Sequence, residues 1–307
     1  MTTEAFLLPV IDLSKLSTEQ EKLAAAVAKP GPGCFRVINH GIPMALMAEM
    51  MATAASLMDL PVEVKLRNAD VIPASGYMPP TIFNMMYESL GIHEVDDLDN
   101  VHAFCSLLGV SPHHREILTW YTSEAHNLMI LLASEVAKSL GLPEHSFKEW
   151  SCALKVNQYN FSGETIGSLG VPEHTDCSFI TVILEDDCNN GLETMDSSGN
   201  FASIDPLPGS LVVFVGDIAK VWSNGRLHNA LHRVVCKRAK PRFSVGFFMQ
   251  APRDGKVEPR DELVDSEHPP LFHSFDFAKY KGLRLSSKVV NGDVLLNWAR
   301  DEDALME

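Results

Sequence analysis

The chain has little of what would mark it as a membrane, secreted or nucleic-acid-binding protein. No apolar run reaches the roughly 18 residues that a membrane-spanning helix needs, so no span is expected. The opening Met1-Thr2-Thr3-Glu4-Ala5-Phe6 lacks both a basic start and a long apolar stretch, which argues against a secretory leader and for a cytoplasmic protein. Positive charge is scarce: 25 Lys and Arg stand against 40 Asp and Glu, a formal net charge of −15. Phosphate-backbone affinity comes from accumulated Lys and Arg, so this balance excludes a general nucleic-acid binder. The six cysteines (Cys34, Cys105, Cys152, Cys177, Cys188 and Cys236) show no CxxC pairing. A chain of 307 residues needs no disulfide staples, so reduced thiols are expected and a structural zinc knuckle is not. Internal repeats and low-complexity tracts are absent as well. What these absences leave is a partner of small-molecule size, on a monomer or weak dimer.

What is present is a folded core and two textures of sequence. Hydrophobic residues make up 46% of the chain and charged residues 21%, as in a globular protein. Residues 1–150 read as a mixed, mainly helical region packing on the core. Ser17-Thr18-Glu19-Gln20 has the spacing of a capping box before an alanine-rich helix, which Pro30-Gly31-Pro32-Gly33 ends. A strand is expected at residues 34–39 and a helix from Pro43 to about Leu60. Residues 69–100 are rich in Pro, Gly and acidic residues and read as loop. From Pro112 to Leu140, Ile117, Tyr121, Ala125, Leu128, Leu132, Val136 and Leu140 step by three or four, which predicts a long amphipathic helix. Its histidines, His113, His114 and His126, read as surface or packing residues.

Residues 151–255 change to short β-rich runs, at 154–161, 173–175, 178–184, 191–195, 201–204, 211–215, 231–236 and 243–249. That density of short strands predicts a mainly β fold with flanking helices, built on a jelly-roll core. Residues 256–307 read as a C-terminal segment with a helix or lid around Phe275 to Leu283, all within a single catalytic unit.

The chemistry gathers in the β-rich part. In Glu173-His174-Thr175-Asp176, His174 and Asp176 are two apart, so on a strand both side chains share a face. A His-x-Asp pair alone arises by chance. His232-Arg233-Val234 follows 58 positions after His174, on another expected strand, and brings a second imidazole within reach. Two histidines and one carboxylate form a facial triad that leaves positions open on an iron(II) ion. His228 competes for the third place through a helical HxxxH spacing, but it falls in the turn before the expected strand. Arg242 and Ser244, again two apart, offer a guanidinium fork and a hydroxyl to a carboxylate. Asn157 and Tyr159 make a second polar pair on one face. Six basic residues and no acidic one occur from Arg226 to Arg242, a stretch that would draw an anion.

With these residues in place, the chain resembles the plant family of 2-oxoglutarate- and iron(II)-dependent dioxygenases over nearly its full length. The resemblance rests on Leu8-Pro9-Val10-Ile11-Asp12-Leu13, Gly33-Cys34-Phe35-Arg36-Val37-Ile38-Asn39-His40-Gly41, Asn157-Gln158-Tyr159, His174-Thr175-Asp176, Pro208-Gly209-Ser210, Val215-Gly216-Asp217, His232-Arg233-Val234 and Arg242-Phe243-Ser244. Within it, the chain looks most like the dioxygenases for auxin oxidation, through Lys65-Leu66-Arg67-Asn68-Ala69-Asp70, Phe83-Asn84-Met85-Met86-Tyr87-Glu88, Trp222-Ser223-Asn224-Gly225-Arg226 and Leu263-Val264-Asp265-Ser266-Glu267-His268-Pro269.

The resemblance implies a distorted double-stranded β-helix and a cofactor set of Fe(II), 2-oxoglutarate and O2, with ascorbate as a reductant. It also implies metal binding by His174, Asp176 and His232, and cosubstrate binding by Arg242, Ser244, Tyr159 and Asn157. The expected activity is oxidation of a small aromatic or heterocyclic plant metabolite, indole-3-acetic acid first. Tyr77, Phe83, Phe161, Phe179, Trp222, Phe247 and Met249 are candidates for the substrate pocket. Cys177, Met85-Met86 and Phe248-Met249-Gln250 differ from what the auxin enzymes carry there. Tailoring of an alkaloid or phenylpropanoid therefore stands as an alternative, and a non-catalytic jelly-roll binding protein as an alternative of another class.

Overall fold

A computed structural model of the chain describes residues 7–82, 84–143, 145–186, 190–286 and 299. Its centre is a seven-stranded sheet in the order β1 (Val10–Asp12), β2 (Cys34–Ile38), β9 (Leu211–Val215), β6 (Ile180–Glu185), β11 (Arg242–Pro252), β4 (Trp150–Tyr159) and β3 (Tyr87–Ile92). A four-stranded sheet follows the order β5 (Leu169–His174), β10 (His232–Val235), β7 (Leu192–Met195) and β8 (Phe201–Ser203), and β12 (Lys256–Val257) pairs with β13 (Phe275–Asp276). Pairing is antiparallel except between β1 and β2. This is the jelly-roll arrangement expected from the strand pattern.

Helices α1 (Leu16–Val27), α2 (Met44–Met58) and α5 (Pro112–Ser139) pack together on the large sheet. In α5 the Ser111 side chain accepts from the His114 N–H, Pro112 occupies the first turn, and the helix stops before Gly141 at φ +75°. Its expected apolar stripe is buried from Ile117 through Val136, and Leu140 packs at the edge. Burial of each large side chain contributes about 1.5–3 kcal/mol, which makes this helix the main brace of the sheet.

Three local expectations differ from what forms. The capping box is not used: α1 begins at Leu16, so Ser17 lies inside it, and Asp12 instead caps a preceding 3-10 turn through the Ser14 N–H at 3.0 Å. The 69–100 stretch contains β3 and the start of α4 (Leu98–Leu108). There the buried Glu88 is paired at 2.8 Å with Lys65, at the end of the short α3 (Val62–Lys65), a long-range contact that local composition cannot signal. Residues 217–222 add a short helix, α6 (Asp217–Trp222), and α7 (Phe277–Ser286) forms where a C-terminal helix is expected. Asp176 lies beyond the end of β5, so strand phase explains the aim of His174 but not of Asp176. Among the described residues no helix is long and apolar enough to cross a membrane.

Candidate active site

His174 at the end of β5 faces His232 at the start of β10 in direct register, and the two rings lie 4.3 Å apart between centroids. Asp176 reaches the same point from the loop after β5, with its Oδ1 3.7 Å from His174 Nε2 and 3.8 Å from His232 Nε2. One possible ligand atom from each residue falls within 4.8 Å of the others. His228 does not join them: it sits in the turn before β10, where its backbone N–H donates to Val27 O at 2.8 Å. The histidines of α5 lie elsewhere too, and His113 is exposed beside Glu49.

Each imidazole is oriented from behind. His174 Nδ1 lies 2.9 Å from Pro172 O, and His232 Nδ1 lies 3.1 Å from Ala230 O. A carbonyl oxygen only accepts, so Nδ1 carries the proton in both rings and Nε2 presents its lone pair to the shared point. Phe214 stacks on His232 at 4.2 Å and 13°, fixing the ring plane. Burial and the neighbouring His232 hold the His174 imidazole down at about 4, so it is neutral at physiological pH. Burial alone would raise Asp176, but the two imidazoles outweigh it and hold its carboxyl below the usual range. Its Oδ2 is buried with no hydrogen-bond partner. Two imidazole nitrogens and one carboxylate whose second oxygen is buried and unsatisfied suit a divalent ion that keeps open positions.

Along β11, Arg242, Ser244, Phe248 and Gln250 share the phase that faces the cavity, and along β4 so do Ala153, Lys155, Asn157 and Tyr159. Arg242 stands opposite Tyr159 and Ser244 opposite Asn157. The guanidinium is 1% exposed and lies 4.9 Å from the Tyr159 ring. Its Nη2 donates to Glu185 Oε1 at 2.8 Å, whereas its Nε and Nη1 are buried without an acceptor. Asn157 is set by Tyr87, whose hydroxyl donates to Asn157 Oδ1 at 2.8 Å, while Asn157 Nδ2 donates to Ser244 Oγ at 3.3 Å. Two idle N–H groups of a buried guanidinium beside a hydroxyl fit one end of a dicarboxylate. Of the six basic residues from Arg226 to Arg242, Arg242 alone lines this cavity. Arg233 and Lys237 instead pair with Glu193 at 2.8 and 2.7 Å.

The cavity holds about 440 Å³, within the range of small-molecule sites. Its walls differ from the pocket expected from sequence. Phe247 and Met249 take the opposite phase of β11 and are wholly buried in the core, so the cavity-facing residues are Phe248 and Gln250. Phe179 and Trp222 pack in an aromatic cluster with Phe147, rings 4.9–5.8 Å apart. Phe161 is buried against Tyr159 without lining the cavity, and Tyr77 donates its hydroxyl to Glu88 at 2.8 Å. Phe83 lies outside the described residues. The periodicity that paired Arg242 with Ser244 extends to Phe248 and Gln250, and the same step back from Asn157 reaches Lys155; these were readable in the sequence. Glu185, Phe214 and the α7 residues Lys281 and Arg284 had no such local signal.

Comparison with known proteins agrees with this geometry. Residues 150–251 match the 2OG-Fe(II) oxygenase superfamily, and residues 8–104 match the N-terminal region described as non-haem dioxygenase in morphine synthesis. The 2-oxoglutarate-dependent dioxygenase DAO of Oryza sativa subsp. indica is 45% identical over 298 residues, covering 95% of this chain and 99% of its own. The crystal structure of the rice dioxygenase for auxin oxidation superposes with a TM-score of 0.86 at 44% identity, covering 95% of this chain and 99% of that one. The 2-oxoglutarate complex of dioxygenase for auxin oxidation 1 from Arabidopsis thaliana gives 0.81 at 44% identity, over 86% of this chain and 100% of that one. A double-stranded β-helix with a His-Asp-His cluster and these relatives sets aside the non-catalytic reading: the chain belongs to the 2-oxoglutarate-dependent dioxygenases of the 2OG-Fe(II) oxygenase superfamily, enzymes that use Fe(II), 2-oxoglutarate and O2.

Proposed function

We propose that His174, Asp176 and His232 hold the iron, and that Arg242 and Ser244 bind the distal carboxylate of 2-oxoglutarate with Asn157 and Tyr159 beside them. The substrate we propose is a small aromatic or heterocyclic acid, with indole-3-acetic acid first. The observation that carries the cosubstrate assignment is the pair of buried Arg242 N–H groups without an acceptor, on the wall of the cavity that the His-Asp-His cluster also lines. Iron with 2-oxoglutarate and O2 supplies the oxidising power: one oxygen atom leaves in succinate as carbon dioxide is released, and the other is added to the organic substrate. The chain's own residues bind and aim. The carbonyls of Pro172 and Ala230 turn each Nε2 toward the shared point, Arg242 fixes one end of the cosubstrate, and Leu192, Phe214, Val234 and Phe248 keep the cavity dry.

Support for the auxin reading comes from the relatives, whose names carry auxin oxidation at 44% identity. Phe248 and Gln250 line the cavity in a stretch that departs from the auxin enzymes, and this favours a rebuilt pocket as the second reading. The test is reconstitution with iron(II) under anaerobic conditions, followed by O2 and labelled 2-oxoglutarate with a panel of indole acids, phenylpropanoids and alkaloids. Carbon dioxide release coupled to indole-3-acetate consumption is expected. Release with alkaloids or phenylpropanoids alone removes the auxin assignment.

A further inference from the structure

The cavity carries a second set of cations that the cosubstrate assignment does not use. Lys155 projects into it from β4, one inward-facing position beyond Asn157 and so about 7 Å further along the strand. Both cross-strand neighbours of Lys155 are glycines, Gly246 on β11 and Gly91 on β3, so neither directly opposed residue offers it a polar side chain, and the Phe248 ring lies over Gly246. Its recorded hydrogen bond is to Met78 Sδ at 3.3 Å, and a thioether is a weak acceptor for an ammonium with three donors. Lys281 lines the same cavity from α7. Among the described residues neither ammonium has a carboxylate within 4.0 Å, although each feels the field of Asp70. Asp70 is committed to its own turn, accepting from the Gly76 N–H at 2.7 Å and the Ala74 N–H at 3.1 Å. The third cation, Arg284, is held by Asp217 and Thr175.

Two partly buried ammonium groups close enough to repel each other, with no carboxylate within 4.0 Å among the described residues, cost the folded protein stability unless an anion is brought to them. The distal carboxylate of 2-oxoglutarate has its own partner in Arg242. We infer that Lys155 and Lys281 form a carboxylate subsite for the organic substrate, which selects acids over their neutral counterparts and holds the acid end away from Arg242. This rests on the reading of the cavity as an oxygenase site and narrows its substrate class. The two lysines come from separate elements, β4 and α7, so the acid also bridges the sheet to the C-terminal helix.

The test sets an acid against its amide. Indole-3-acetate and indole-3-acetamide are compared on the full chain, by kcat/KM and by equilibrium affinity in the anaerobic iron(II) and 2-oxoglutarate complex. Lys155→Met, Lys281→Gln and the conservative Lys155→Arg are measured beside the unaltered protein. Each charge-removing change should cut the acid-to-amide ratio about ten- to hundredfold, the worth of one hydrogen bond to a charged group, and Lys155→Arg should keep most of it. Melting temperatures report whether the variants fold, and Lys281→Gln, on a partly exposed helix, covers failure of Lys155→Met. An unchanged ratio in both charge-removing variants, or equal losses for acid and amide, overturns the proposal. A fall in 2-oxoglutarate affinity in step with the ratio overturns it as well, since the lysines would then serve the cosubstrate. Should the unaltered protein bind neither indole compound, the auxin assignment fails. The subsite is then judged on phenylacetate and cinnamate against their amides, and equal binding of each pair overturns it too.

Discussion

The cavity wall made by β4 and β11 has two ends furnished in different ways. At one end Arg242, Glu185, Asn157, Ser244 and Tyr87 are buried or nearly so and hydrogen-bonded in place, and the donors left over are two N–H bonds of one guanidinium. At the other end Lys155 stands between two glycines, Phe248 and Gln250 replace polar pairs, and the opposing cation arrives on a helix from the far end of the chain. On the proposed assignment, the first end is prearranged for a ligand that is the same in every turnover. The second is assembled from residues that can change without disturbing the first, because strand alternation separates them by whole residue pairs. One sheet can therefore keep its chemistry while its substrate changes.

The sharpest way to break this comparison is at the point both ends share. His232→Ala should abolish iron binding and reduce turnover to the detection limit, whereas His228→Ala should leave both; metal content and labelled carbon dioxide release measure them. If the two behave alike, the metal cluster has been misassigned. Next in size, Arg242→Met should weaken 2-oxoglutarate binding by about 2 kcal/mol or more, roughly thirtyfold, since it removes one member of a buried charge pair and leaves Glu185 behind. Loss of substrate affinity with 2-oxoglutarate affinity unchanged would reverse the identity of the two ends.

A third pair of variants separates the faces of β11. Phe247→Ala should cost about 3–5 kcal/mol of stability, because it opens a cavity in the core, and denaturant unfolding would show it. Phe248→Ala should cost about 1 kcal/mol and instead change KM for the organic substrate. The opposite outcome would place the pocket on the face first expected from sequence.

The smallest expected effect is on pH. Burial and the nearby Lys281 bring Lys155 down from 10.5 to about 8, against the pull of Asp70, Cys177 and Asp176. The ammonium is the form that pairs with a carboxylate, so affinity for an acid should be level below about pH 8 and fall as pH rises through it. Stability has the other sign. Between about 8 and 10.5 the unfolded chain binds this proton more tightly than the folded one, so this group makes folding more favourable as pH rises across that window. Acid affinity that stays level to pH 10, followed by calorimetry, would mean that Lys155 does not meet the carboxylate.

How far the sequence could be read follows the same division. His174, His232, Arg242, Ser244, Asn157 and Tyr159 lie on strands whose alternation is local, and spacing was enough to pair them. Asp176 lies beside the histidines, but not through strand phase, since it lies past the end of β5 and is held by its backbone: Asp176 O accepts from the Asp217 N–H at 2.8 Å. Phe247 and Met249 were one residue out of phase, which on a strand means the opposite face. Residues such as Glu185 and Lys281 become part of the site only through sheet order and helix docking. No window of sequence contains those relations.

Arg284 carries a last consequence. From α7 it reaches back more than a hundred residues in sequence to Thr175, donating to the Thr175 Oγ1 at 3.1 Å and to its carbonyl, while Asp217 Oδ2 accepts from it at 2.7 Å and Tyr280 closes the same knot. Thr175 is the spacer between His174 and Asp176, so the middle of the His-x-Asp segment is tethered to α7. Opening of α7 would release the segment that carries His174 and Asp176, two of the three members of the cluster, while the sheets stayed intact. Warmed slowly, the enzyme should fall silent before it melts.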